Sequence, residues 1–227
     1  MFGRILLYLF KKYISLFSTN SPVLDKAADF PAYSDFDSNW QKIKEEMEAY
    51  ILGNWEDIPS FDAIDEEQRD LIENDNYKWK VLLVKMYGEY INTHVSPTLL
   101  QLVKKHDKLI SSATLSCMEA GKHIPPHCGP NKAVLRYTLP LKVPSEGECY
   151  LVVDGEKLPM KEGDGIFWDD TYMHEAVNAT NGVRIALLLD IKRKMPKHIE
   201  VVYDFLLALA RKTKKFKQAS KAATVKS

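Results

Sequence analysis

The chain has 227 residues, 45% of them hydrophobic and 27% charged, with 31 basic side chains balancing 31 acidic ones. That is enough apolar chain to bury the core of one sizeable domain, and no repeat or low-complexity segment interrupts it. Three cysteines, Cys117, Cys128 and Cys149, form an odd set without CxxC spacing. This argues against a disulfide scaffold or a cysteine-based zinc site, and for reduced thiols in a reducing compartment.

In chain order, MFGRILLYLFKKYISLF is apolar, but Arg4, Lys11 and Lys12 interrupt it before the roughly 20 apolar residues of a spanning helix. It reads as an interfacial anchor, and no small-residue cleavage site of a secretory signal follows it. Ser38-Asn39-Trp40-Gln41 leads into KIKEEMEAYI, where Ile43, Met47, Tyr50 and Ile51 recur at helical spacing. Trp55 to Asp75 is acidic and turn-rich, a surface loop or short helix. Tyr77 to Tyr87 predicts a buried strand, and Ser96-Pro97 the start of a second helix through Leu109.

From Ala113 the pattern becomes β. Candidate strands span 113–119, 132–141, 149–153, 157–160, 164–168, 174–178 and 183–191, separated by Gly-containing turns. They predict a mostly β fold with flanking helices, an α+β chain built on a jelly-roll, cupin-like core, also called a double-stranded β-helix. Ile199, Val202, Tyr203, Leu206, Leu209 and Ala210 then line one face of a helix, followed by Arg211, Lys212, Lys214, Lys215 and Lys217. Residues 192–227 hold 11 Lys and Arg against 2 acids, so the tail is +9 and the rest of the chain −9. This order fits docking on anionic lipid headgroups, or a helix packed on the domain with a solvated tail. A nucleic-acid partner ranks last, because aromatic residues are sparse there apart from Phe216.

The chemistry sits on two histidines. His127 opens His127-Cys128-Gly129-Pro130-Asn131 and precedes Arg136 in VLRYTLPL; His174 closes Trp168-Asp169-Asp170-Thr171-Tyr172-Met173-His174 and precedes Arg184 in VRIALLLDI. Paired imidazoles suit a divalent metal such as Fe(II), and a guanidinium offers a planar fork for a carboxylate. Arginine on an apolar strand is costly to bury without a partner, which marks Arg136 and Arg184 as functional. Iron and a dicarboxylate cosubstrate in one cavity are the equipment of a 2-oxoglutarate-dependent oxygenase. His94, His106 and His198 read as surface or capping groups, whereas His123, four residues before His127, is a candidate neighbour of the metal site. Asp169 and Asp170 either form a turn before His174 or accept hydrogen bonds from metal-bound solvent.

Ser116, Gly121, Pro126-His127-Cys128-Gly129-Pro130-Asn131, Leu135-Arg136-Tyr137, Asp169-Asp170, His174-Glu175 and Arg184 follow the order and spacing of one family. The chain resembles the aspartyl/asparaginyl β-hydroxylases over residues 28–195, and FPAYSDFDSNW and Tyr77–Gly88 are most similar to the lipid A hydroxylase branch. The resemblance implies Fe(II) on His127 and His174, with 2-oxoglutarate and O2 as cosubstrates. It implies Arg184 and Ser116 on the distal carboxylate of 2-oxoglutarate, and Arg136 on the substrate side or at the cosubstrate's inner end. Gly129 stands where other oxygenases carry an acidic ligand, which leaves a place for solvent or, as a minor alternative, for chloride and halogenation. The family's Arg-x-His-Leu-Gly-Leu is here Arg136-Tyr137-Thr138-Leu139-Pro140-Leu141, so the contact of that histidine is weakened or reassigned.

The division implied is a membrane-surface segment at 1–27, an oxygenase domain at 28–195, and an amphipathic helix with basic tail at 196–227. The implied activity is hydroxylation of a C–H bond in a lipid A-like acyl chain or a small molecule, on the cytoplasmic side of a membrane. Hydroxylation of a peptide Asp or Asn is the alternative, and a non-catalytic cupin-like binding module a further one. No helical repeat that would present a peptide is visible, which favours lipid or small molecule over protein. No coiled coil or swapped element speaks to the oligomeric state.

Overall fold

The protein is described by a computed structural model that covers residues 12–16, 20–65 and 75–226. Eight strands are divided between two sheets: β4 (Ile110–Met118), β5 (His123–His127), β6 (Val134–Lys142), β7 (Gly147–Val153), β8 (Glu156–Pro159), β9 (Ile166–Trp168), β10 (His174–Thr180) and β11 (Arg184–Lys192). Before them come β1 (Val23–Leu24), β2 (Trp79–Met86) and β3 (Glu89–Tyr90). All pairings are antiparallel, giving a seven-stranded sheet ordered β1-β9-β6-β11-β4-β2-β3 and a four-stranded sheet ordered β5-β10-β7-β8. This interleaving is a jelly roll, as the strand pattern predicts.

The large sheet is covered on both sides, so its strands read as near-continuous apolar runs, and the period-2 alternation decides which residues reach the barrel interior. Tyr137 and Leu139 of β6, Leu187 and Leu189 of β11, and Ala113, Leu115 and Cys117 of β4 point outward into one core. There they meet Phe36, Ile43, Met47 and Ile51 of a long helix, and Leu99 and Val103 of a shorter one. The residues between them, among them Ser116, Arg136, Thr138, Arg184 and Asp190, belong to the opposite face, between the sheets.

The helices are α1 (Lys26–Asp29), α2 (Tyr33–Gly53), α3 (Phe61–Ile64), α4 (Pro97–Lys105), α5 (Lys197–Arg211) and α6 (Lys214–Ala223). α2 starts five residues before the Ser38 signal, because Phe36, fully buried against Phe30, which in turn packs on Tyr137 of β6, docks the extra turn on the sheet. α4 is capped as its sequence implies, with Pro97 in the first turn and Ser96 accepting from the Leu99 N–H. Asp154-Gly155, both at positive φ, close the β7–β8 hairpin with the twist that such tight turns require.

β5 has no counterpart among the predicted strands. Pro125 and Pro126 remove two ladder donors, and the strand survives because it lies at the edge of its sheet. His127, expected ahead of a strand, is therefore the last residue of one.

The apolar N-terminal run falls largely on residues outside the described ones. A short helix at 12–15 packs through Ile14 against Ile199 and Tyr203 of α5. Among the described residues no helix is long and apolar enough to cross a membrane. The basic tail is folded onto the barrel: α6 buries Phe216 and Ala223, and the Asn92 amide holds the Ala223 carbonyl at 2.8 Å and the Val225 N–H at 2.9 Å.

Candidate active site

The antiparallel register of β5 and β10 sets His127 directly opposite His174, and their ring centroids are 4.0 Å apart. Each ring uses Nδ1 on a backbone carbonyl two residues earlier, His127 on Pro125 at 2.8 Å and His174 on Tyr172 at 2.9 Å. A carbonyl only accepts, so each Nδ1 carries the hydrogen and each Nε2 is left with its lone pair. Burial drives both imidazoles toward the neutral form. His174 is held down to about 3, by burial first and then by His127 and Arg136, and His127 is lowered for the same main reason. The edge of the Trp168 ring braces His174, with centroids 4.7 Å apart.

The side-chain space at Gly129 is filled from elsewhere. A Cβ on Gly129 would lie 2.4 Å from the Asp170 carboxyl carbon, and the Gly129 N–H donates to the Asp170 carbonyl at 2.6 Å. Asp170 is buried and its Oδ1 has no hydrogen-bond partner among the described residues, while Oδ2 faces Arg136 at 3.1 Å. Burial, opposed by Arg136 and reinforced by Asp190, pushes this carboxyl up to about 6. Asp169, one residue earlier, does a different job. It accepts from the Thr171 N–H and hydroxyl and pairs with Arg193 at 2.6 Å, so it organises the turn into β10. Of the two readings of this acidic pair, Asp169 fits the turn.

The two arginines also separate. Arg136 donates through Nε and Nη2 to Asp190 Oδ1 at 3.1 and 3.0 Å, and with the Asp170 contact its charge is matched twice. Burial opposes that charge, but the two carboxylates outweigh it and hold the guanidinium firmly protonated. Arg184 has no carboxylate among the described residues. It is fully buried, reaches the Ser116 Oγ at 3.3 Å and the Met118 sulfur at 2.7 Å, and its Nε has no partner among the described residues. Desolvation lowers its pKa, with only Cys149 and Cys117 opposing. A buried guanidinium in that state can accept an anion.

Thr138, which replaces the family's histidine, accepts from the Trp168 indole N–H at 3.0 Å. Its contact is thus reassigned to fixing the ring that braces His174. His123 is tied to Glu175 at 2.7 Å, away from the His127–His174 pair, and His106 pairs with Asp35 at 2.6 Å where it caps α4. Cys128 is exposed, and no cysteine is bonded to another.

His127, His174, Gly129, Asp170 and Arg136 open onto a cavity of about 410 Å3. Beyond them its walls are largely apolar: Trp79, Val81, Leu83 and Met86 of β2, Phe61 and Ile64 of α3, and Phe216 and Ala219 of α6. Trp79 links the cavity to the Arg184–Ser116 pair, donating to Ser116 Oγ at 2.9 Å and stacking on Phe61 at 4.2 Å. Trp79, Trp168 and Asp190 were not among the predicted site residues. Asp190 had a readable signal, an acid on the otherwise apolar strand VRIALLLDI; the two tryptophans had none beyond composition.

Among the described residues no three His, Cys, Asp or Glu side chains converge on one point. Two neutral imidazoles with Nε2 free, beside an unpartnered carboxylate oxygen, fit a divalent ion that keeps positions open for other ligands.

A family model described as Aspartyl/Asparaginyl beta-hydroxylase matches residues 37–194. An ornithine lipid ester-linked acyl 2-hydroxylase of Rhizobium tropici is 30% identical over 194 residues, 84% of this chain and 67% of that protein. The aspartyl/asparaginyl beta-hydroxylase of Mus musculus is 33% identical over 76 residues, 34% of this chain and 10% of that protein. Of solved structures, an oxidoreductase of the 2OG-Fe(II) oxygenase family from Burkholderia pseudomallei aligns with 55% of this chain and 71% of its own, at 16% identity and a TM-score of 0.43. With the family model spanning most of the barrel and both histidines inside it, the chain belongs to the aspartyl/asparaginyl β-hydroxylase family.

Proposed function

We propose that this protein is an Fe(II)- and 2-oxoglutarate-dependent dioxygenase that hydroxylates a C–H bond of a lipid acyl chain or a small molecule of that chemistry. One observation carries the reading: two buried imidazoles present unprotonated Nε2 atoms, in a barrel where the buried guanidinium of Arg184 meets no carboxylate among the described residues. His127 and His174 would hold the iron, and Arg184 with the Ser116 hydroxyl would hold the distal carboxylate of 2-oxoglutarate. The iron would supply activation of O2, one oxygen atom passing to succinate as 2-oxoglutarate loses CO2 and the other to the product.

The remaining roles belong to the chain. Asp170 offers an unused acceptor beside the metal ligands, suited to orienting a solvent molecule there. Arg136, charge-matched by Asp170 and Asp190, fixes the polar wall of the cavity. The apolar wall excludes water and favours hydrocarbon, each methylene buried there contributing about 0.8 kcal/mol. The lipid acyl activity named for the Rhizobium tropici relative supports the same choice of acceptor.

Anaerobic titration with Fe(II) and then 2-oxoglutarate tests the reading. A weak visible charge-transfer band is expected in the wild type and is lost in His174→Ala and weakened in Arg184→Ala. A folded, metal-supplied wild type without that band would sink the oxygenase reading and leave a binding module of the same fold.

A further inference from the structure

α5 is apolar on two faces. Ile199 and Tyr203 pack against Ile14, Ala133 and Val134, yet Val201, Val202, Phe205 and Leu209 are 60%, 44%, 61% and 44% exposed. At 3.6 residues per turn, Val201, Phe205 and Leu209 fall on one line with Val202 beside it, with Lys197 one turn before and Lys212 at the end. Glu200 and Asp204 lie to the side of this stripe, and Asp204 is paired with Lys192 at 2.5 Å. Tyr13, 42% exposed, touches His198 and extends the apolar surface at the start of the helix.

α6 repeats the arrangement with charge. Lys214, Lys217 and Lys221 share one exposed row, and among the described residues no carboxylate pairs with any of them. Phe216, Ala219 and Ala223 lie on the opposite side, where Phe216 and Ala219 form part of the cavity wall. An exposed apolar stripe of this kind, ended by lysines and flanked by an unpaired basic row, matches an anionic bilayer in both hydrophobicity and charge.

We propose that the outer faces of α5 and α6 are a docking surface for an anionic lipid bilayer, and that α6 is the wall past which an acyl chain passes from that bilayer toward His127 and His174. The second half rests on the lipid-hydroxylase reading; the docking itself does not. The helices that meet the bilayer are the ones that close the apolar end of the cavity, so binding and access share one structural element.

The test is sedimentation of the full chain with vesicles of phosphatidylcholine alone and of phosphatidylcholine mixed with phosphatidylglycerol. Wild type partitions onto the mixed vesicles, and more weakly as salt is raised. Phe205→Glu with Leu209→Glu, and separately Lys214→Glu with Lys217→Glu and Lys221→Glu, each lower that partitioning by about tenfold or more. None of these residues lines the cavity, so circular dichroism and the charge-transfer band stay at wild-type levels in both variants. Equal binding to neutral vesicles, or full binding by either variant, overturns the docking surface. So does a dimer in solution that dissociates in the Phe205/Leu209 variant, since a second copy would then cover the stripe. Vesicle binding in a protein without the charge-transfer band would instead refute the oxygenase reading and leave the docking intact.

Discussion

Asp170 occupies the space that a side chain at Gly129 would need: a Cβ on Gly129 would sit 2.4 Å from both the carboxyl carbon and Oδ2 of Asp170. The space beside Gly129, two residues after His127, is thus taken by a carboxyl group that enters from the turn before β10. Its carboxylate is held by Arg136 and leaves one oxygen unused.

Gly129→Ala is expected to displace Asp170 and cost about 1–3 kcal/mol of stability in chemical denaturation. The penalty should shrink in the double variant Gly129→Ala with Asp170→Gly, where the clash is absent. Additive penalties would show that the two positions do not compete for one space.

The two arginines predict opposite outcomes. Arg184→Met removes a buried charge without a carboxylate partner, so the cosubstrate-free protein is as stable as wild type or more so, while 2-oxoglutarate binding is lost in calorimetric titration. Arg136→Met strands Asp170 and Asp190, and costs about 2–3 kcal/mol, below the full-burial figure because Arg136 is partly exposed.

The metal-free protein should weaken as pH falls below the ordinary histidine range. His174 has its folded pKa lowered to about 3 from 6.5, so between those values the unfolded chain binds a proton that the barrel refuses. Stability is fully present above pH 6.5 and is lost as pH falls toward 3. For this one group the loss from about pH 7 to about pH 5 is about 1–2 kcal/mol, and His127 acts in the same direction. Asp170, raised to about 6, opposes the trend, because the folded state holds its proton more tightly than the unfolded chain does. Urea midpoints across this range check the sign, and the slope should flatten in His174→Ala.

Thr138→Val leaves the buried Trp168 indole N–H without its acceptor and is expected to cost about 1–3 kcal/mol. Because Trp168 also braces His174, Fe(II) affinity should fall in the same variant. A stable variant with unchanged iron affinity would show that the reassigned contact is dispensable.

Much of this was legible beforehand because it is local. The His127 and His174 motifs, the strand cadence from Ala113 onward and the Ser96-Pro97 helix start depend on neighbours within a few residues, where residue type constrains backbone and chemistry directly. What depended on distant partners was hidden. Two prolines concealed β5, which needed a free sheet edge to be viable. Asp169 and Asp170 are adjacent and alike, and only the turn geometry sends one to Arg193 and the other to Arg136. Arg136 and Arg184 look equivalent on their strands, until the pairing of β6 with β11 brings Asp190 to the first and leaves the second beside sulfur and a hydroxyl.

The amino-acid sequence by itself determined the paired histidine and arginine motifs, the jelly-roll cadence and the charge asymmetry, since these reside in residue types and short spacings. Only the tertiary structure decided which arginine keeps an unmatched charge, which aspartate fills the place beside Gly129, and that the basic tail folds into a cavity wall, because each is settled by side chains that long-range packing brings together.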